Sequence, residues 1–334
     1  MTPAGAFPVR PDLPPADSEA VSRFAADLAR VWPEGAARGE ARLGIAVSGG
    51  PDSCALLLLA AAAMPGRIAA ATVDHGLRAE SADEARFVAD LCAAIDVEHA
   101  VLPVTVEQGN VQAQARAARY RALAEWAAEL GLAALASAHH ADDQAETLLL
   151  RLNRASGVAG LAGVRERGLV SGSELLLVRP LLGWRRLELE RIVEAAGLNA
   201  VADPSNIDDR FDRARLRKAL GGAEWLDTAA LAQSAAHLAD ADQALEWAAQ
   251  REWREAVRPQ PFGLVYRPRA PRAVGLRVIA RIVRELDGEE SRGGRIARLF
   301  DSLESGSPAS IGTLVARPER DGWAFSRSPV KRRN

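Results

Sequence analysis

Ile45-Ala46-Val47-Ser48-Gly49-Gly50-Pro51-Asp52-Ser53 runs directly into the apolar stretch Cys54 to Ala63, and this join decides the fold. An apolar segment from Gly44 to Val47 passes straight into Ser-Gly-Gly. Glycine takes positive φ without steric cost and lets the backbone approach a ligand. Pro51 presets φ for a first helical turn, where its missing N–H is not needed. The spacing predicts a buried strand, a tight loop and a helix in immediate succession. The open N–H groups of such a helix N-terminus, with the hydroxyls of Ser48 and Ser53, make a cradle for an anion such as phosphate or pyrophosphate. A Walker A loop is excluded because no Gly-Lys-Ser/Thr follows at the required spacing. A dinucleotide fingerprint is excluded because Gly-x-Gly-x-x-Gly is absent here.

Outward from the loop, a helix over 17–32 is expected, capped by Asp17 or Ser18, with Val21, Phe24, Leu28 and Val31 as its apolar stripe. Strands over 42–47, 67–73, 97–104 and 132–137 alternate with helices after the loop and over 83–95 (capping box Ser81 and Glu84), 111–130 and 141–153. That rhythm predicts an α/β fold with a doubly wound, mostly parallel sheet. Ligands bind beyond the strand C-termini of such sheets. Four polar clusters fall there: Ser48 to Ser53, Asp74 to Arg78, the region of Asn110, and His139 to Asp143. A glycine-rich part with a short apolar piece at 175–178 follows, then helices over 185–196 and 210–220. Gly221-Gly222 is the expected boundary. Beyond it one long helix over 224–258 ends at Pro259 and Pro261, followed by a helical pair over 274–286 and 293–303 and a β-hairpin over 310–326. The expected organisation is a loose N-terminal arm (1–16), a catalytic domain (17–222), a linker helix (223–258) and a small basic helical or α+β C-terminal domain (259–334).

Among the 334 residues, 48% are apolar and 26% charged, as in soluble globular proteins. No apolar run approaches the ~18 residues of a membrane span, and residues 1–16 lack a signal-peptide pattern. The only cysteines, Cys54 and Cys92, argue for a reducing, cytoplasmic setting and against a disulfide framework or a Cys-x-x-Cys site. The net charge of −2 hides an asymmetry: residues 251–334 hold 18 Lys+Arg against 10 Asp+Glu, a surplus of +8, so the first 250 carry −10. A polyanion touching the basic third is one reading of this, and an arginine-rich solvated surface is the other.

Several clusters carry chemistry, each with a plainer reading beside it. Asp74 and His75 end a strand and could border an adenine or ribose pocket, or form a polar loop with a helix cap. Arg116 and Arg119 share a helix face and could clamp phosphate oxygens, or face solvent. The run His139-His140-Ala141-Asp142-Asp143-Gln144-Ala145-Glu146-Thr147 opens a helix after a strand. Its carboxylates suit the helix dipole, and its imidazoles and carboxylates could also serve as base, orienting group and Mg²⁺ ligands. Zinc deaminase and His-Glu-x-x-His signatures are absent. Asp203-Pro204-Ser205-Asn206 and the arginines through Arg213 and Arg217 read as a turn and helix facing a substrate, or as surface.

Ser-Gly-Gly-x-Asp-Ser resembles the pyrophosphate loop of the N-type ATP pyrophosphatases, with their adenine nucleotide alpha hydrolase-like fold. Six motifs in order then resemble the tRNA(Ile)-lysidine synthetase family: this loop, Val73 to Arg78, Ala115-Arg116-x-x-Arg119-Tyr120, the His139 to Thr147 run, Arg179-Pro180-Leu181-Leu182, and Asp203 to Asn206 with Phe211 to Arg217. The resemblance implies ATP-dependent ligation of L-lysine to C2 of the wobble cytidine of an isoleucine tRNA with a CAU anticodon. ATP adenylates O2, pyrophosphate leaves, and the lysine amine then expels AMP. It implies that Ser48, Gly49, Gly50, Pro51, Asp52, Ser53, Asp74 and His75 hold ATP. Asp52, Arg119, His139 and Asp143 would be catalytic, with His139 as base oriented by Asp143 and Arg119 at the α-phosphate. Mg²⁺ would sit on Asp52 and Asp143. Arg116, Glu146, Arg179, Asp203, Asn206, Arg213 and Arg217 become substrate or tRNA contacts, with no membrane partner and room for a homodimer. Two departures stand out: Ala155 where the family usually has Gly, and Ala214 where it usually has Asn. Beyond residue 222 the resemblance is architectural, without the extra C-terminal domain of longer members. The alternatives are another tRNA-modifying or amide-forming ATP pyrophosphatase, a non-catalytic ATP-binding module, and a structural tRNA-binding protein.

Overall fold

A buried strand feeding a phosphate loop needs sheet partners on both sides. The computed structural model, which describes residues 16–75, 80–105, 111–198, 212–223, 225–288 and 293–328, supplies them. In chain order the first part runs α1 (Ser18–Val31), α2 (Pro33–Ala37), β1 (Leu43–Ala46), α3 (Pro51–Ala63), β2 (Ile68–Asp74), α4 (Glu80–Ala94), β3 (Glu98–Pro103), α5 (Val111–Glu129), β4 (Ala134–Ala136) and α6 (Ala141–Leu152). It continues with α7 (Val158–Leu161), β5 (Arg167–Leu169), β6 (Leu176–Val178), α8 (Arg186–Ala195) and α9 (Asp212–Gly221). The sheet order is β3-β2-β1-β4-β6-β5, parallel except that β5 runs antiparallel to β6. The expected doubly wound sheet is therefore present. The short pieces α2, α7 and β5 had no signal strong enough to read. Ser81 lies inside α4, so it is not the cap of that helix.

Strand alternation sorts the core into two layers. Leu43 and Ile45 of β1 pack with Phe24 and Leu28 of α1, Leu56, Leu57 and Leu59 of α3, Leu91 of α4 and Leu189 of α8. Ala69 and Ala71 of β2 and Leu135 of β4 face the opposite layer, with Tyr120, Leu123 and Trp126 of α5. α3 is apolar all round because it is buried all round, from Ser53 to Ala60. Truncating one of its fully buried leucines to alanine would cost about 2–5 kcal/mol.

Compact units divide at Leu238/Ala239, inside the continuous helix α10 (Thr228–Ala256) and later than Gly222. Leu245, Ala249, Trp253 and Ala256, in the second half of that helix, pack into the C-terminal core. The C-terminal unit adds β7 (Val257–Gln260), β8 (Gly263–Tyr266), α11 (Arg272–Asp287), α12 (Gly293–Glu304), β9 (Ala309–Ile311), β10 (Leu314–Glu319) and β11 (Gly322–Arg327). Its antiparallel sheet has the order β7-β8-β11-β10-β9. The single hairpin expected over 310–326 is thus part of a five-stranded sheet. Pro259 does not simply end the helix; it sits on edge strand β7, where a missing N–H is tolerated. Trp323 meets Tyr266 and Phe300 edge-on, at centroid distances of 5.8 and 5.1 Å, at the centre of this core. Among the described residues no helix is long and apolar enough to cross a membrane.

The end of α6 shows what one departure from the family pattern does. Ser156 N–H donates to Arg151 O and Ala155 N–H to Leu152 O, both at 3.0 Å, in a Schellman arrangement with Ala155 at φ +52°. Glycine is preferred there because an L side chain costs about 1–2 kcal/mol in this region. Ala155→Gly removes that cost and returns about 0.4–1 kcal/mol of unfolded-chain entropy. The net gain is up to about 1 kcal/mol, a rise in Tm of about 2–4 °C per kcal/mol, checked by calorimetry.

Candidate active site

β1 has β2 on one side and β4 on the other, so the sheet order reverses at β1. The crevice beyond the C-terminal ends of β1 and β4 is where ligands bind in such sheets. The loop after β1 and the His-rich run after β4 meet in it.

In the loop, Gly49 takes φ +85° and Gly50 is the N-cap of α3, with Pro51 at the first helical position. Ser53 Oγ accepts from Ser48 N–H at 3.1 Å and donates to Gly50 O at 2.9 Å. Its one proton is thereby committed, so in the 3.2 Å contact between the two hydroxyls Ser48 is the donor. No side chain caps α3, which leaves the first-turn amides directed at the crevice. Asp52 stands in that turn. Its Oδ1 is buried without a hydrogen-bond partner among the described residues, and its Oδ2 lies 3.4 Å from His140 Nε2.

His140 is 2% exposed and contacts three carboxylates: Asp52, Asp143 Oδ2 at 3.5 Å and Asp142 Oδ2 at 3.6 Å. Burial opposes its charge, but hydrogen bonding to Asp142 and Asp52 and the charge of Asp143 outweigh burial and push its pKa up to about 10. His140 is therefore an imidazolium at neutral pH that holds the acidic run together. The same contacts keep Asp142 well below the usual carboxylate range: burial works against this, but the bonds to His140 and to the Arg186 N–H prevail. Asp142 Oδ2 accepts from that N–H at 2.8 Å, so it caps α8.

The expected couple of His139 with Asp143 is not what forms. Asp143 accepts from the His140 backbone N–H at 3.2 Å and faces the His140 ring, whereas His139 Nδ1 pairs with Ser137 Oγ at 3.0 Å. His139 is half-buried at the crevice. His140 was absent from the expected site, although the spacing of an N-cap and a carboxylate three residues on (140 and 143) could have found it.

Asp74 and His75 end β2 as expected. Arg119 Nη2 donates to His75 Nε2 at 3.3 Å, so the ring proton is on Nδ1, which is buried without a partner among the described residues. Burial, with the charge of Arg119, lowers the His75 pKa and keeps it neutral. Arg116 does not join Arg119 in one clamp; it lies over the Tyr120 ring, 5.0 Å from its centroid. Arg179, at the end of β6, is 8% exposed and donates to Arg165 O at 2.6 Å, with its Nε buried and unpartnered among the described residues. Glu146, 2% exposed, accepts two bonds from Arg217 of α9, at 2.6 and 3.1 Å. Arg78, Asp203, Asn206 and the Arg213 side chain lie outside the described residues. Cys54 and Cys92 are fully buried, and burial pushes both thiols up to about 12.

Comparison with known proteins matches residues 20–224 to the PP-loop domain family. A tRNA(Ile)-lysidine synthase of Novosphingobium aromaticivorans is 46% identical over 319 residues, 94% of this chain and 96% of that protein. The tRNA(Ile)-lysidine synthase of Zymomonas mobilis is 40% identical over 87% of this chain and 90% of its own. Among solved structures, the U34-tRNA thiolase NcsA of Methanococcus maripaludis, with its [4Fe-4S] cluster, superposes with a TM-score of 0.54 at 15% identity. It covers 66% of this chain and 78% of that one, a likeness of fold alone.

Proposed function

The chain belongs to the PP-loop tRNA(Ile)-lysidine synthase family, and from that premise we propose that it joins L-lysine to C2 of the wobble cytidine of the CAU-anticodon isoleucine tRNA. ATP is consumed to pyrophosphate and AMP through a cytidine adenylated at O2. The carrying observation is the meeting of Asp52 in the phosphate loop with the His140–Asp143 run, across the crevice between β1 and β4. This places anion-binding amides and a cluster of carboxylates at one point, as adenylation requires.

In this reading the amides of the loop and the Ser48 hydroxyl bind the departing pyrophosphate. His75 offers its Nδ1–H to the nucleotide, and Arg119 balances charge on the α-phosphate. His139, the imidazole not tied into the carboxylate cluster, takes the proton from the attacking lysine amine. His140 is a positioning residue that fixes Asp52. The buried, unpartnered Oδ1 of Asp52 suits a cation. No group of three or more His, Cys, Asp or Glu forms a metal cage among the described residues. Mg²⁺ commonly uses one or two carboxylates plus substrate phosphates, so Asp52 and Asp143 would hold it and it would neutralise charge on the leaving pyrophosphate. The basic C-terminal unit is the tRNA-binding part, and the setting is cytoplasmic. A sulfur-inserting reading is disfavoured because both thiols are buried and strongly protonated, where a thiolate is needed.

The test is pyrophosphate release from ATP and Mg²⁺ with CAU isoleucine tRNA, a tRNA with another anticodon, or no tRNA. Release confined to the CAU tRNA is expected. Release with every tRNA, or with none, overturns the substrate assignment.

A further inference from the structure

In the C-terminal unit a cleft of about 230 Å³ opens between α12 and the edge strand β9. Arg295, Arg298 and Ser302 of α12 line one wall and Ser310 of β9 the other, over a floor of Leu299 and Ile311. No acidic residue lines it. The two arginines are three apart on one helix face, and both are exposed. Neither makes an ion pair or hydrogen bond with any described residue, whereas neighbouring arginines of the same unit are engaged: Arg277 with Asp242 and Glu246, Arg272 with Asp301, Arg281 with Glu285. Leaving two guanidinia unpaired beside two serines, in a stretch with a surplus of +8, is a charge pattern that awaits an anion.

Size narrows the anion. Pockets for whole small-molecule ligands run from about 300 to 1,000 Å³. This cleft is smaller and rimmed by charge, which fits a phosphate group of a chain whose remainder stays outside. Residues that contact the nucleic-acid backbone are of these types: arginine forks and serine hydroxyls. We propose that the cleft of Arg295, Arg298, Ser302 and Ser310 holds a backbone phosphate of the tRNA, and so anchors the substrate on the C-terminal unit. This rests on the proposed function for the identity of the RNA, though not for the chemistry of the cleft.

The experiment compares the wild-type chain with Arg295→Glu/Arg298→Glu and, separately, Ser310→Asp, which puts negative charge on the opposite wall. Binding of labelled CAU isoleucine tRNA is measured by anisotropy over a salt series, with lysidine formation followed in parallel. The expected results are a Kd raised about 10- to 100-fold by the double variant and a salt slope shallower by about 2, roughly one per lost contact. The KM for tRNA should rise while kcat at saturating tRNA stays near wild type. Ser310→Asp should weaken binding in the same direction. Unchanged affinity and slope in variants with wild-type melting curves overturn the cleft, even if the wild type makes lysidine. Conversely, RNA binding that falls in both variants while the wild type makes no lysidine keeps the cleft and removes the proposed reaction.

Discussion

In the Asp52→Ala protein, tRNA-dependent pyrophosphate release is expected to fall by at least about 100-fold, the loss seen when one preorganised charge-stabilising group is removed from an active site. Asp52 is the one carboxylate in the first turn of α3, with Oδ1 buried and unpartnered among the described residues and Oδ2 beside His140. No other acidic group stands in that turn to take over. His140 keeps Asp142 and Asp143 after the change, so the fold should survive with a Tm close to wild type. Asp52→Asn keeps the shape and removes the charge, and should be as inactive. Turnover within a few-fold of wild type in either variant, measured as pyrophosphate released per enzyme, would remove Asp52 from the chemistry.

The second large effect is on stability. Arg217→Ala is expected to destabilise the catalytic unit by about 3 kcal/mol, because it strands a carboxylate that is almost wholly buried. Arg217 supplies both bonds to Glu146, and through them α9 is tied to α6. Burial alone would weaken the guanidinium's hold on its proton, but the pairing with Glu146 raises its pKa, as expected of a cation in a tight pair. Glu146→Leu/Arg217→Met, which removes both charges, should recover most of the stability, since buried pairs often trade evenly for apolar groups. Activity separates structure from function here. A double variant that is stable yet inactive assigns the pair to substrate handling. Denaturant melts of the single and double variants close the cycle. A single-variant loss below about 1 kcal/mol would contradict the burial argument.

What was legible in the sequence follows from how local each feature is. The loop was readable because six consecutive residues from Ser48 to Ser53 each have a backbone or hydroxyl task. The crevice was readable because strand and helix periods fix the topology, and topology brings the ends of β1 and β4 together. The choice between His139 and His140 was not. After β4 the chain leaves the strand, alternation no longer says which imidazole turns inward, and two adjacent histidines look alike. Only the extended N-cap conformation of His140 (φ −131°, ψ 179°) puts its ring against Asp52. Arg116 and Arg119 share a face by spacing, but an aromatic neighbour at Tyr120 draws one of them away. In the C-terminal unit the helices α11 and α12 were visible from long apolar stripes. Strands β7 and β8 are four residues each, and Pro259 masks the first. Ala155 was noticed as a departure, but its left-handed backbone needed coordinates.

The most direct test of the central claim is nucleoside mass analysis of CAU isoleucine tRNA after incubation with the purified protein, ATP, Mg²⁺ and L-lysine, with AMP counted in the same tube. The expected result is a wobble cytidine heavier by one lysine less water, with one AMP for each modified nucleoside and none without lysine. ATP cleaved to AMP and pyrophosphate over an unmodified cytidine would contradict it, leaving the phosphate loop with a different substrate.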